Sequence, residues 1–189
     1  ITLSGTNALS GDPATLLSLG AGQTGVSVAT SGVTLENLAA VQATNGVRFA
    51  NGLQPTASVT NLTLNNVHVD GGTIGYRMGT AIGLDGLTIT GSAFDNNIQG
   101  WFVAIDGAGA STLKNVLVTD TTFNGNTQKG IYVEKLENAT FNGITVQSSG
   151  VDAGYGFNNG IDINLKYRAY SNITIRNSEV FGCGAYGTA

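Results

Sequence analysis

The chain has 189 residues, 28 of them glycine and two proline, with 11% charged residues and a formal net charge of −4. It has no lysine- and arginine-rich run of the kind that binds nucleic acid or an anionic membrane. It also has no apolar stretch of about 18 residues that could cross a bilayer as a helix. The single cysteine, Cys183, excludes an internal disulfide.

In chain order, residues 1–24 fit the later pattern poorly. ITLSG reads as the end of a coil and residues 14–19 as one more strand. GAGQTG at 20–25 is no phosphate loop, because it lacks the lysine and no helix pattern follows it. From Gly32 onward one unit recurs: GVTLENLAAVQAT, then NLTLNNVHVDGGT from Asn61, GLTITGSAFDNNI from Gly86, NVLVTDTTFNGNT from Asn115, NATFNGITVQSSG from Asn138 and NITIRNSEVFGCG from Asn172.

Aligned, these copies give three apolar columns. The first is Val33, Leu62, Leu87, Val116, Ala139 and Ile173; the second is Leu35, Leu64, Ile89, Val118, Phe141 and Ile175. The third is Ala40, Val69, Phe94, Phe123, Val146 and Val180. Between the first two lies a column of Thr34, Thr63, Thr88, Leu117, Thr140 and Thr174, the alternation of a strand with one buried face. The next column, Asn37, Asn66, Gly91, Asp120, Gly143 and Asn177, holds residues that tolerate left-handed backbone, so each copy predicts two short strands joined by a sharp bend.

A second signal, glycine–apolar–any–apolar, precedes each copy. It reads GVSV from Gly25, GVRF from Gly46, GYRM from Gly75, GWFV from Gly100, GIYV from Gly130 and GIDI from Gly160. Three short strands in a period of about 20–30 residues, with no helical periodicity, predict an all-β parallel β-helix solenoid of about six to seven coils. Right-handed winding is expected, as parallel crossovers almost always have that hand. The chain is read as a single domain over 1–189. Neither end shows a capping helix, and AYGTA at 185–189 reads as the start of another coil. A segment of a longer solenoid, or self-association through uncapped coil ends, is therefore expected. Cys183 falls in a turn column of small residues with Ser149, Asn126 and Gly72, where a stacked turn residue is the simplest role.

The outward column of the second signal carries the candidate site: Ser27, Arg48, Arg77, Phe102, Tyr132 and Asp162, with Ala104, Glu134 and Asn164 beside it and Lys166, Tyr167 and Arg168 following. Stacked in register they form a ridge in which arginine forks suit carboxylates and aromatic surfaces suit sugar rings. Arg48, Arg77, Phe102, Tyr132, Asp162, Lys166 and Arg168 are the expected polysaccharide-binding residues. Glu134 and Asp162, on adjacent coils, are candidates for the paired carboxylates of glycoside hydrolysis. The longest irregular insertion, QSSGVDAGYGFNN at 147–159, lies beside this ridge in sequence. The only histidine, His68, sits on a repeat strand, with Asp70 as its local carboxylate. The acids are scattered singly without calcium-loop spacing, so no metal or cofactor is expected.

Over nearly its whole length the coil pattern resembles the right-handed parallel β-helix of the pectin-lyase-like superfamily. Within it, YGFNN at 155–159 and the following INLKYRAYSNITIRNSEVFGCG look like the region of mannuronan C5-epimerases that carries a YGFDPH-type motif. In that family the tyrosine, aspartate and histidine are catalytic. Tyr155 matches the tyrosine, but Asn158 stands where the aspartate would be and Gly160 where the histidine would be. The resemblance thus implies shared coil geometry without that catalysis, with Tyr155 left as a catalytic candidate.

Two classes of function follow. One is an extracellular or cell-surface β-helix that binds or acts on a polysaccharide, expected to be acidic; an enzyme of this kind would be a lyase, an epimerase or a glycoside hydrolase. The other is a structural β-helix segment of an adhesin, filament or matrix protein without catalysis.

Overall fold

The computed structural model describes residues 1–4, 15–105 and 111–184. Within them the chain is all-β, with no helix, and every strand pairing is parallel. Two long sheets result. The larger has nine strands, with Thr2–Ser4, Val33–Gln42, Val59–Asp70, Leu84–Thr90, Leu113–Thr119, Glu137–Asn142 and Ile173–Arg176 in spatial order. The second has six: Thr24–Val28, Asn51–Pro55, Ile74–Met78, Gln99–Val103, Lys129–Val133 and Asn159–Ile163. Both run in sequence order with one period between neighbours, which is the arrangement of a parallel β-solenoid. The N-terminal residues join this scheme: Thr2–Ser4 and Thr15–Leu19 pair with the two halves of Val33–Gln42. The expected extra coil at 185–189 lies outside the described residues.

The sheets exist because the apolar columns stack. Val33, Leu62, Leu87, Val116 and Ala139 are all buried, as are Leu35, Leu64, Ile89, Val118 and Phe141, and Ala40, Val69, Phe94, Phe123 and Val146. The last members, Ile173, Ile175 and Val180, are half-buried or exposed, since among the described residues no strand pairs beyond them. An aromatic stack fills the middle. Phe123 lies 5.6 Å from Phe94 at 15° and 6.1 Å from Trp101 at 9°, and Trp101 in turn meets Tyr76 edge-on at 5.5 Å.

The bends follow the column of Asn, Asp and Gly. Asn37, Asn66, Gly91, Asp120, Gly143 and Asn177 all have φ between 48° and 70°. The residue that opens each copy is also left-handed at Gly32, Asn61, Gly86, Asn115, Asn138 and Asn172. Asparagine adds a bond along the stack that glycine cannot: Asn66 Nδ2 donates to Asn37 Oδ1 at 3.0 Å, and Asn172 Nδ2 to Asn138 Oδ1 at 2.9 Å. A matching interior column, Asn97, Asn126, Ser149 and Cys183, bonds the bend backbone. Ser149 Oγ donates to Phe123 O at 2.7 Å, and Cys183 Sγ repeats the contact to Val146 O at 3.3 Å.

One register differs from the sequence expectation. The glycines of the six-stranded sheet form a ladder in which a Cβ at Gly25 would meet Gly52 O at 2.6 Å, and one at Gly75 would meet Gly100 O at 2.5 Å. Gly52 therefore belongs to the ladder and Gly46 does not, and the strand is Asn51–Pro55. GVRF from Gly46 lies before that strand, so Arg48 is not in register with Arg77.

The core also holds two polar atoms without a partner among the described residues, Tyr76 Oη and Trp101 Nε1. Burial pushes the Tyr76 phenol far above its ordinary pKa, so the hydroxyl stays neutral but unsatisfied. Tyr76→Phe keeps the ring and its contacts and removes this cost. It is expected to raise stability by about 1 kcal/mol, or about 2–4 °C in Tm. A thermal melt that falls instead would show that the hydroxyl has a partner.

Candidate functional site

From Arg77 to Asp162 the outward column of the six-stranded sheet is continuous. Ser27 is in register with Gln54, Arg77 with Phe102, Phe102 with Tyr132, and Tyr132 with Asp162. The ridge thus holds four of the expected binding residues, Arg77, Phe102, Tyr132 and Asp162. Arg48 is displaced by the register described above. Its guanidinium spans the neighbouring bends instead, donating to Gly72 O at 3.0 Å and Asn96 O at 2.7 Å. Arg168 also lies off the ridge, bonded to Glu137 at 3.2 Å and to Thr112, with its guanidinium 4.9 Å from the Tyr170 ring centre.

The ridge and the insertion after residue 147 enclose a cleft of about 340 Å³. Phe102, Tyr132, Glu134, Asp162 and Asn164 line it from the sheet, joined by Gln99 and Lys129. Tyr155 and Phe157 line it from the insertion, packed edge-on at 5.9 Å. The Tyr132 ring is fixed on three sides. It stacks on Phe102 at 5.4 Å, lies 4.4 Å from the Lys129 ammonium, and donates its hydroxyl to Glu134 Oε1 at 2.5 Å. The stacked rings cover one another in part, and Phe157, 72% exposed, is the most exposed aromatic side chain of the cleft.

The charges are arranged in pairs. Glu134 takes Lys166 Nζ and Tyr132 Oη on one oxygen and the Ile105 amide on the other at 2.9 Å. Burial alone would raise the Glu134 pKa, but these donors outweigh it and hold the carboxyl below its ordinary value. Tyr132 is pushed up by burial and by the adjacent carboxylate, and Lys166 is pushed up by its bond to Glu134. Asp162 pairs with Lys129 and accepts from Asn159 at 3.5 Å. Asn158 Nδ2 donates to Asp152 O and to Tyr155 O at 2.6 Å, tying the insertion into a turn. An ionised aspartate has no donor for those carbonyls, so the amide at this position has a structural reason.

His68 and Asp70 lie on the larger sheet, in strand Val59–Asp70, apart from the cleft lining. Asp70 accepts from Asn96 at 2.7 Å, and its register neighbour Asp95 accepts from Thr122 and from the Asn124 amide. Burial raises the Asp95 pKa against those bonds, with His68 close enough to lower it. A second cleft, of about 510 Å³, lies around Ser58, Asp85, Ser111 and Lys114, where Lys114 pairs with Asp85 at 3.1 Å. Among the described residues no group of three or more His, Cys, Asp or Glu could hold a metal ion, and no helix is long and apolar enough to cross a membrane.

Sequence reasoning missed Gln99, Lys129 and Phe157. Gln99, Lys129 and Asn159 are in register in the position before each ladder glycine, a polar column visible in the sequence once that ladder is known. Phe157 carried no signal, because the insertion has no period. Comparison of the chain with protein-family models, curated proteins and solved structures finds no match in any of the three.

Proposed function

We propose that the chain is a glycan-binding, right-handed parallel β-helix of about six to seven coils, in the manner of the pectin-lyase-like superfamily. In this reading it holds a polysaccharide along the ridge and in the cleft, at a cell surface or outside the cell. The observation that carries the reading is the cleft. It combines an exposed aromatic ring, Phe157, with convergent hydrogen-bonding groups on a rigid sheet: Gln99, Glu134, Asp162 and Asn164. Sugar binding asks for that combination, an apolar surface for the ring and fixed acceptors and donors for the hydroxyls.

Binding is favoured over catalysis by the state of the charges. A general acid or base works best with a pKa near the working pH. Glu134 is held low while Tyr132 and Lys166 are held high, so each keeps its ordinary form at neutral pH. Asn158 and Gly160 add no acid or base, so epimerisation of polymannuronate is not expected.

The test is a glycan array followed by calorimetry on the parent and on Phe157→Ala. The parent is expected to bind a glycan in the micromolar to millimolar range. The substitution is expected to weaken binding about 3–10-fold with an unchanged melt, because the ring is exposed. A parent that binds no glycan would leave the chain as a structural coil, and a variant that binds equally would put the glycan outside this cleft.

A further inference from the structure

We infer that the cleft accepts an uncharged sugar residue, and that a carboxylate-bearing residue is held only further along the ridge, at Arg77. The ligand is then a mixed neutral and acidic heteropolysaccharide, and a homopolyuronate is a poor one. This rests on the glycan-binding reading above and narrows it.

The cations decide the matter. Two carboxylates, Glu134 and Asp162, line the cleft, and the two ammonium groups beside them are already engaged, Lys166 on Glu134 and Lys129 on Asp162. Lys129 has a side chain only 5% exposed and is pinned over the Tyr132 ring, so it cannot turn toward a ligand. A uronate entering the cleft meets two carboxylates whose ammonium partners are already engaged, so no cation is free to pair with it, and like charges at close range are unfavourable. A neutral residue meets acceptors suited to its hydroxyls: two carboxylates and the side-chain amides of Gln99 and Asn164.

Arg77 is different. It is exposed, stands in register beside Phe102, and makes no ion pair among the described residues. Its planar fork matches a carboxylate. Arg77 and Tyr132 are separated by two strand spacings through Phe102, about 10 Å. An extended glycan advances roughly one residue per coil step. The acidic residue therefore lies about two residues from the neutral one in the cleft.

The experiment is calorimetry at low salt with three probes: a glucose hexasaccharide, a galacturonate hexasaccharide, and a hexasaccharide carrying one uronate among neutral residues. The mixed probe is expected to bind tightest and the galacturonate probe weakest. Arg77→Ala is expected to weaken the mixed probe about 2–5-fold and to leave the neutral probe unchanged. Glu134→Gln frees Lys166 and is expected to strengthen the galacturonate probe about 5-fold. If that variant does not fold, the Arg77→Ala comparison decides alone. Tightest binding of the galacturonate probe by the parent, or equal weakening of neutral and mixed probes by Arg77→Ala, would overturn the inference. Binding of none of the three would overturn the glycan reading itself.

Discussion

Phe123→Ala is expected to cost about 3–5 kcal/mol of stability, equivalent to a fall of roughly 6–20 °C in Tm for a chain of this length. Phe123 is fully buried and stacks against both Phe94 and Trp101, so its ring contacts side chains from two other strands. The walls of a solenoid core are rigid parallel sheets, which collapse poorly around a cavity, and this places the cost toward the upper end of such truncations. Chemical unfolding followed by circular dichroism measures it directly. A midpoint within about 0.5 kcal/mol of the parent, the range of ordinary surface substitutions, would show that this column is not the core.

Lys135→Met is expected to be damaging as well, at about 1–3 kcal/mol. Lys135 is fully buried, and its ammonium donates to Gly79 O at 3.1 Å, Thr80 O at 3.0 Å, Ile82 O at 2.6 Å and Ser111 Oγ at 2.8 Å. It follows strand Lys129–Val133, whereas the three carbonyls follow strand Ile74–Met78, with Gln99–Val103 lying between the two in the sheet. The side chain thus rivets two turns across an intervening strand. Methionine fills the volume and relieves the desolvation of a buried charge, which alone would stabilise. Gly79 O keeps the Ile82 amide and Thr80 O keeps the Ser111 hydroxyl, but Ile82 O loses its donor, and this costs more, at about 1–3 kcal/mol. A urea midpoint at or above that of the parent would show that the desolvation term wins.

The fold was legible because burial repeats. Every period places its apolar residues in the same three columns, and the bends at Asn37, Asn66 and Asp120 declare themselves by residue type. Register within the six-stranded sheet was less legible. GVRF from Gly46 and GLQP from Gly52 both satisfy the same local pattern, and the choice is made by the close approach of Gly25 and Gly52 backbones on adjacent strands. That contact belongs to a pair of strands and is invisible in either one, and so the local pattern alone puts Arg48 on the ridge.

The cleft was half legible for the same reason. Phe102, Tyr132 and Asp162 follow the strand alternation and were found on the ridge. Gln99 and Lys129 stand before the ladder glycine, where the sequence carries no alternation to assign a face. Phe157 and the Asn158 staple lie in an insertion whose shape is set by hydrogen bonds to Asp152 and Tyr155, with no period to read. The pairing of each lysine with a particular carboxylate depends on side chains reaching across strands, as Lys166 does to Glu134 and Lys129 to Asp162.

The central claim is that the cleft between the ridge and the 147–159 insertion binds glycan. Amide chemical-shift mapping during titration with the mixed hexasaccharide tests it most directly. The predicted result is saturable shifts confined to residues 77, 99–104, 129–134 and 155–164, reaching half-saturation at about 3–10-fold more sugar in Phe157→Ala. Shifts confined to the larger sheet, or no saturable shift at millimolar sugar, would contradict it.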